Sequence, residues 1–209
     1  MVKIQHYLNE WQTIQTFYRY RLFRRVDLAL RRAYFFRNPY RMLRRFLQRK
    51  GEKQIFQYGE TPLFTIDLIV REFGIDKNSL LYDFGSGRGR VALFLSTVHS
   101  VRTVGVEQLS DFVIIANQIS SKYGLQALFI SADFTCLSDL EEPDFIYLCG
   151  TCLSDEIIGK LISKPFFKTK WITVSYPLSD YSSSFEIEKK LSGRYLWGET
   201  DIFLNKVKR

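Results

Sequence analysis

The stretch from Leu80 to Leu95, LLYDFGSGRGRVALFL, constrains the fold more than any other part of the chain. An apolar run typical of a buried strand is followed by Gly85, Gly87 and Gly89, and then by an apolar run typical of a helix. Glycines at such a turn let a ligand approach the first N–H groups of the helix. The pattern predicts a nucleotide-type binding turn, although a helix that packs tightly on its strand would use the same glycines.

Strands and helices alternate on both sides of this turn. The predicted strands after it are RTVGVE, QALFISAD, PDFIYLCG and WITVSYP, and the predicted helices are TPLFTIDLIVREFGI, DFVIIANQISSKYG and SDEIIGKLIS. This alternation predicts an α/β fold with a doubly wound parallel sheet. The last residues, GRYLWGETDIFLNKV, contain two strand-like pieces without a helix, which predicts an antiparallel hairpin at the sheet edge.

Composition limits the class of protein. The chain has 209 residues, of which 46% are hydrophobic, enough for one large buried core. Because no apolar run approaches the roughly 18 residues of a membrane span and no secretory signal begins the chain, we expect a cytoplasmic protein. Three cysteines form no disulfide framework, and Cys149 with Cys152 lacks a second ligand pair, so we expect no metal site. A redox pair is the less favoured interpretation.

The positive charge lies at the N-terminus. Residues 1–58 carry 14 Lys or Arg and 3 Asp or Glu, whereas the remaining 151 residues carry 16 and 19. The net charge is therefore +11 for the first segment and −3 for the rest. We predict two parts: a basic helical extension at residues 1–56 and a sheet domain at residues 57–209. The extension is expected to act as a lid and to recruit the molecule on which the protein acts.

The basic extension reads as two helices. The first runs from about Glu10 to Phe36, and the second, YRMLRRFLQRK, is capped by Asn38 and Pro39 and ends at Gly51. The first has an apolar stripe at near-helical spacing: Trp11, Ile14, Tyr18, Leu22, Ala29, Ala33 and Phe36. The cations expected to face outward are Arg21, Arg24, Arg25, Arg31, Arg32, Arg41, Arg44 and Arg45. Three interpretations stay open: a solvated lid packed through its stripe, a contact with nucleic acid or an acidic protein, and a membrane-surface helix.

Three carboxylates follow three predicted strands. Asp83 precedes the glycine turn, Glu107 ends the next strand 18 residues after Gly89, and Asp133 follows the third. Open α/β sheets bind ligands at this edge, where Glu107 could accept from ribose hydroxyls and Asp133 from an adenine amine. A carboxylate at Asp83 would repel a pyrophosphate but attract an ammonium and a sulfonium, which favours S-adenosylmethionine over a dinucleotide.

These motifs bring a family resemblance. The segments YGETPLFTIDLIV, YDFGSGRGRVAL, VGVE and ADF, within residues 58–155, resemble the class I S-adenosylmethionine-dependent methyltransferases, and among them the Dot-type (non-SET) lysine methyltransferases. The resemblance implies a seven-stranded, Rossmann-like class I sheet with an antiparallel last strand, and transfer of a methyl group to a protein lysine. The implied cofactor-binding residues are Gly59, Glu60, Thr61, Asp83, Gly85, Gly87, Gly89, Glu107, Asp133, Phe134 and Cys149.

The resemblance also implies a role for each part of the site. The Gly59–Thr61 loop would close over the methionine part, Asp83 and Gly85 would hold its ammonium and carboxylate, and Asp133 with Phe134 would hold the adenine. The family's two asparagines and aromatic lysine channel are replaced here by CGTCLSDE, from Cys149 to Glu156.

The methyl acceptor follows less directly from these residues. The hydroxyls of Tyr58 and Thr151 are the predicted catalytic groups nearest the transferred methyl, as orienting groups. A protein acceptor, basic or DNA-associated, is the leading expectation. The alternatives are methylation of a nucleic acid or of a small molecule, or a protein that binds nucleic acid or membrane without catalysis.

Overall fold

The computed structural model describes residues 2–51, 59–137, 141–151, 153–163, 166 and 168–208. The described strands are β1 (Leu80–Phe84), β2 (Arg102–Glu107), β3 (Ala127–Ser131), β4 (Phe145–Leu148), β5 (Lys170–Val174), β6 (Phe185–Tyr195) and β7 (Gly198–Val207). The described α-helices are α1 (Val2–Phe17), α2 (Arg21–Ala33), α3 (Pro39–Arg49), α4 (Leu63–Phe73), α5 (Arg90–Phe94), α6 (Ser110–Tyr123) and α7 (Asp155–Ile162).

The seven described strands form one sheet in the order β3-β2-β1-β4-β5-β7-β6. Strands β1 to β5 pair in parallel, and β7 is antiparallel to both β5 and β6. The predicted α/β class, the seven strands and the antiparallel last strand are therefore confirmed. In the described part of the chain, no helix is long and apolar enough to cross a membrane.

Strand β1 lies in the middle of the sheet, and all five of its residues are buried. It pairs with β2 on one side and β4 on the other, so that Asp83 lies between Gly105 and Tyr147. Its apolar run reflects this burial on both faces, which is usual for a central parallel strand. The carboxyl ends of β1, β2, β3 and β4 consequently meet at one edge of the sheet.

The C-terminal hairpin is present. The sequence has Gly-Glu-Thr-Asp between its two strand-like pieces, which predicts the turn at residues 198–201, but the structure places the turn elsewhere. Strand β6 ends at Tyr195 and β7 begins at Gly198, so the turn consists of Leu196 and Trp197, and the Gly-Glu-Thr-Asp piece lies inside β7. Tyr195 and Trp197 stack face to face, 4.8 Å between ring centroids, which places an aromatic pair at this corner.

The single helix predicted from Glu10 to Phe36 is wrong. The chain leaves the first helix after Phe17 and starts the second at Arg21, with Tyr20 extended at the start of α2. Beside this break, the Tyr18 hydroxyl donates to Asp27 Oδ2 (2.8 Å). The break shifts the helical phase, and the predicted stripe is also wrong at four positions. Trp11, Ile14, Leu22 and Phe36 are exposed by 61, 42, 39 and 94%.

Other residues of α1 and α2 form the buried face. Phe17 and Phe23 each meet the ring of Phe94 edge to face, with centroids 4.8 and 5.3 Å apart. Val26 and Leu30 pack in a cluster with residues of α5 and α6. The two helices thus share a core with the sheet layer, and the predicted division at residue 56 remains a prediction, since residues 52–58 lie outside the described chain.

Helix α3 confirms the second predicted helix. The Asn38 side chain accepts from the Arg41 N–H (3.2 Å), Pro39 is the first helical residue, and Gly51 follows the end with φ of 73°. Such an N-cap satisfies one of the free N–H groups of the first turn.

A buried ion-pair network joins α1 and α2 to the start of α5. Arg90 Nε lies 2.9 Å from Asp27 Oδ1, and its Nη1 lies 2.5 Å from Glu10 Oε1. Arg31 pairs with the same two carboxylates, so the prediction that it faces outward to a partner is corrected. Burial alone would raise the pKa of Asp27, but the charges of Arg90 and Arg31 lower it below the usual value.

Replacement of Asp27 should therefore destabilise the fold. Asp27→Asn leaves Arg90 buried with one carboxylate fewer, and we expect a loss of about 3 kcal/mol in the free energy of unfolding at pH 7. Glu141→Gln, which removes the exposed partner of Arg102, should cost less than about 1 kcal/mol. Urea unfolding measures both, and equal losses in the two variants would contradict a special role for the buried network.

Candidate active site

A cavity of about 480 Å³ lies at the carboxyl edge of the sheet. Eleven of the predicted site residues line it: Gly59, Glu60, Thr61, Asp83, Gly85, Gly87, Glu107, Asp133, Phe134, Cys149 and Thr151. Gly89 is not part of its lining, and Tyr58 lies outside the described residues. The structure thus brings residues from five separate stretches of the sequence to one place.

Two glycines of the turn do different things. A Cβ on Gly85 would meet no atom of the described residues within 4 Å, so this position leaves the cavity open, whereas a Cβ on Gly89 would lie 2.5 Å from the Phe129 ring. Both have positive φ, 75° and 80°, which favours glycine. The binding interpretation therefore fits Gly85, and the close-packing interpretation fits Gly89.

Glu107 is fixed by the backbone beside it. Its Oε2 accepts from the Gly87 N–H (3.0 Å), and its Oε1 accepts from the Leu109 N–H (2.9 Å). Burial raises the pKa of Glu107, while these backbone hydrogen bonds lower it in part. A carboxylate oxygen has a second lone pair, so this carboxyl can still accept from a ligand in the cavity.

Asp83 has no such support. Its side chain is almost fully buried, and its Oδ2 accepts no hydrogen bond from any described residue. Burial, with the charge of Glu107, raises the pKa of Asp83 to about 7. A buried polar atom without a partner costs free energy, and such groups mark places where a ligand supplies the missing partner. The cavity therefore suits a ligand that brings a positive group to Asp83.

Asp133 and Phe134 lie at the next strand end. Asp133 Oδ1 accepts from both the N–H and the hydroxyl of Thr135, at 2.9 and 2.7 Å. The Phe134 ring stacks parallel to the Phe84 ring with centroids 5.5 Å apart. These contacts hold a carboxylate and a flat apolar ring beside the cavity, an arrangement suited to an aromatic heterocycle with an amine.

Glu60 is bound by the glycine turn itself. The Arg88 guanidinium contacts both oxygens of Glu60, at 2.6 and 2.8 Å, and Arg90 Nη1 lies 3.8 Å from Glu60 Oε2. The two arginines therefore connect the Gly59–Thr61 loop to the turn and, through Arg90, to Asp27. Neither arginine is among the site residues predicted from the sequence, although arginines that alternate with the glycines of the turn were the available signal.

Three hydroxyl groups, from Thr61, Tyr147 and Tyr195, lie next to one another at strand β4. Thr61 Oγ1 and the Tyr147 hydroxyl are 2.7 Å apart, and the Tyr147 and Tyr195 hydroxyls are 3.4 Å apart. Burial raises the pKa of Tyr147 well above its usual value, so the phenol stays neutral. Trp197, in the hairpin turn, also lines the cavity and was missed from the sequence.

Helix α3 covers another side of the cavity. Its inner residues Leu43, Phe46 and Leu47, with Lys50 just after it, belong to the lining. Lys50 Nζ donates to Gln108 Oε1 (2.5 Å), next to Glu107. The basic extension thus lies over the Glu107 end of the cavity.

The sequence matches no protein-family model and no curated protein. Solved structures do match: an RNA methyltransferase from Salinibacter ruber bound to S-adenosyl-L-homocysteine has a TM-score of 0.55 and 21% identity, over 71% of this chain and 92% of that one. The chain has the class I methyltransferase fold. The M1A22 tRNA methyltransferase TrmK of B. subtilis also matches, with a TM-score of 0.55 and 12% identity, over 73% of this chain and 67% of that one.

A third matched structure also has low sequence identity to this chain. A point mutant of MtNAS has a TM-score of 0.58 and 16% identity, and it aligns with 70% of this chain, which spans 60% of MtNAS. Identities this low show the fold alone. None of the three structures is named as a lysine methyltransferase, so the Dot-type part of the resemblance gains no support from them.

The raised pKa of Asp83 predicts how stability depends on pH. Because the folded-state pKa, about 7, exceeds the unfolded value of 3.8, this group favours the fold below about pH 4 and loses that contribution as the pH rises to 7. Asp83→Asn should therefore stabilise the ligand-free protein at pH 8, by at most about 4 kcal/mol, since one pKa unit corresponds to about 1.4 kcal/mol.

The gain should be smaller at pH 5, where Asp83 is still protonated in the folded protein. Urea unfolding at the two pH values measures it, with the exposed Asp111→Asn as a control. A gain that is the same at pH 5 and pH 8 would contradict the assignment of a buried, titrating carboxyl.

Proposed function

We propose that the protein is an S-adenosylmethionine-dependent methyltransferase that methylates RNA. The observation that carries the proposal is the convergence of Asp83, Glu107 and Asp133 on one cavity beside the glycine turn, with Asp83 buried and its Oδ2 without a hydrogen-bond partner among the described residues. Three carboxyl groups around one cavity disfavour a phosphate-rich cofactor and favour a cationic one, which stabilises their charged forms. S-adenosylmethionine carries an ammonium and a sulfonium and has no phosphate.

The residues at the carboxyl edge of the sheet would each bind one part of the cofactor. Asp83 would bind the ammonium group, and the open space at Gly85 would admit the methionine backbone. Glu107, held by two N–H groups, would accept from the ribose hydroxyls. Asp133 and Phe134 would bind the amine and the flat face of the adenine. The likeness to a methyltransferase bound to S-adenosyl-L-homocysteine supports this arrangement.

The donor would supply a methyl group activated by the adjacent sulfonium, so the chain needs to orient the acceptor and exclude water. The neutral Thr61–Tyr147 pair would hold the Gly59–Thr61 loop in place without removing a proton. Thr151, on the cavity wall, remains the proposed orienting group for the acceptor, together with Tyr58.

An RNA acceptor fits this chain better than a protein lysine. Among the described residues, the wall after β4 contributes Cys149, Gly150, Thr151 and Leu153 to the cavity, none of which is aromatic, so this wall differs from the aromatic lysine channel that the resemblance implies. The segment that covers the cavity carries a net charge of +11, which attracts a polyanion and repels a basic protein. The names of two matched structures, an RNA and a tRNA methyltransferase, agree with this choice.

Calorimetry and methyl transfer test the proposal together. We expect the wild type to bind S-adenosylmethionine, and Asp83→Ala and Glu107→Ala to weaken binding by about tenfold or more, because each removes a hydrogen bond to a charged group. Asp111→Asn should bind as the wild type does. Tritiated methyl groups should enter the nuclease-sensitive fraction of a cell lysate.

Two results would contradict different parts of the proposal. If the wild type does not bind S-adenosylmethionine, methyl transfer is refuted. If it binds the donor but labels only protease-sensitive material, RNA is refuted, and the protein lysine of the original resemblance becomes the acceptor to test.

A further inference from the structure

The outward faces of α2 and α3, together with the turn between them, carry nine exposed arginines, which we call the arginine surface. Its exposed guanidinium groups are Arg21, Arg24, Arg25, Arg32, Arg37, Arg41, Arg44, Arg45 and Arg49. Spacings of three and four residues place those of each helix on one side. The arginine surface therefore has two rows of cations rather than scattered charges.

The charge of the arginine surface is not neutralised from within its own segment. The acidic residues among residues 2–51 are Glu10 and Asp27, and both are already paired with Arg90 and Arg31. In the described part of the chain, no carboxylate forms an ion pair with any of the nine exposed arginines. A partner with many negative charges would complement this surface.

Two aromatic rings lie between the rows. Phe35 and Phe36 are exposed by 76 and 94%, and their rings meet edge to face with centroids 4.8 Å apart. Adjacent apolar rings in water are unusual on a surface otherwise made of arginine, and they mark a contact site. Aromatic rings beside arginines are the combination that binds bases by stacking and phosphates by charge.

The arginine surface adjoins the cavity. The inner side of α3, at Leu43, Phe46 and Leu47, lines the cavity, while Arg41, Arg44 and Arg45 project from the outer side of the same helix. An α-helix is about 10 Å across, so a polymer on the outer side lies within a few nucleotides of the cavity. One molecule can therefore contact both.

We propose that the arginine surface binds single-stranded RNA that flanks the methylated nucleotide, with the arginines on phosphates and with Phe35 and Phe36 stacked on bases. This inference rests on the proposed function. Arginine, rather than lysine, supplies nearly all of the cations, and its planar fork suits phosphate groups and stacks on bases.

Binding of a labelled single-stranded RNA of about 20 nucleotides, followed by fluorescence anisotropy with the full chain, tests the proposal. The triple variant Arg41→Gln, Arg44→Gln and Arg45→Gln should bind about tenfold or more weakly at low salt. The slope of log affinity against log salt concentration should become shallower by about 2, since each of the three lost phosphate contacts removes about 0.7 from it. Phe35→Ala with Phe36→Ala should weaken binding by about fivefold or more and leave the salt dependence unchanged.

The matched control is Lys77→Gln, Lys168→Gln and Lys208→Gln. It removes the same charge from exposed positions before β1, before β5 and after β7, at the opposite edge of the sheet. It should bind RNA as the wild type does. Affinity for S-adenosylmethionine, measured in all variants, should be unchanged and shows that each one is folded.

Three outcomes would overturn the arginine surface. They are equal RNA affinity of the arginine variant and the wild type, equal losses in the arginine and lysine variants, and binding to phosphatidylserine vesicles without binding to RNA. If the wild type methylates RNA and the arginine variant does so equally well, the surface is refuted and the proposed function stands. If the wild type binds RNA through these arginines but transfers no methyl group, the proposed function fails and the surface stands.

Discussion

A carboxyl group buried at the end of the central strand is the constraint on which the site depends. Asp83 lies between β2 and β4, close to Glu107, with one oxygen that no described residue satisfies. Keeping two acids together away from water is unfavourable for an empty protein. A cationic ligand offsets this cost when it binds. The ligand-free protein is therefore less stable because of the groups that bind the ligand. A pyrophosphate would not relieve this cost, because it adds further negative charge beside the two acids.

Two arginines of the glycine turn connect this site to the rest of the chain. Arg88 holds the loop at Glu60, and Arg90 reaches Asp27 and Glu10 on the N-terminal helices. The turn that would bind the cofactor is therefore braced by the segment that carries the positive charge. Helix α3 completes the link, because its inner side lines the cavity and its outer side carries arginines. In the proposed function, cofactor binding and substrate attraction would therefore depend on the same N-terminal helices.

The sheet and the three carboxylates were predictable because they depend on local patterns. Apolar runs mark buried strands, and an acid directly after such a run must lie at the strand end. The break after Phe17 was not predictable in this way, since no glycine or proline lies between Glu10 and Phe36 to mark it. The pairing of Thr61 with Tyr147 joins residues 86 apart, and no local period reports such a contact. Arg31 has the helical spacing of a surface cation, but it forms ion pairs with Glu10 on α1 and Asp27 on α2, and the spacing alone does not predict these partners.

Proton release on cofactor binding tests the central claim most directly. The claim is that Asp83, largely protonated near pH 6 in the free protein, becomes charged when it meets the ammonium of the cofactor. Calorimetric titration of S-adenosyl-L-homocysteine at pH 6, in two buffers with different heats of ionisation, measures the number of protons released. The account predicts release of close to one proton by the wild type and of almost none by Asp83→Asn. Equal proton release by the two proteins, or none by the wild type when it binds, would contradict it.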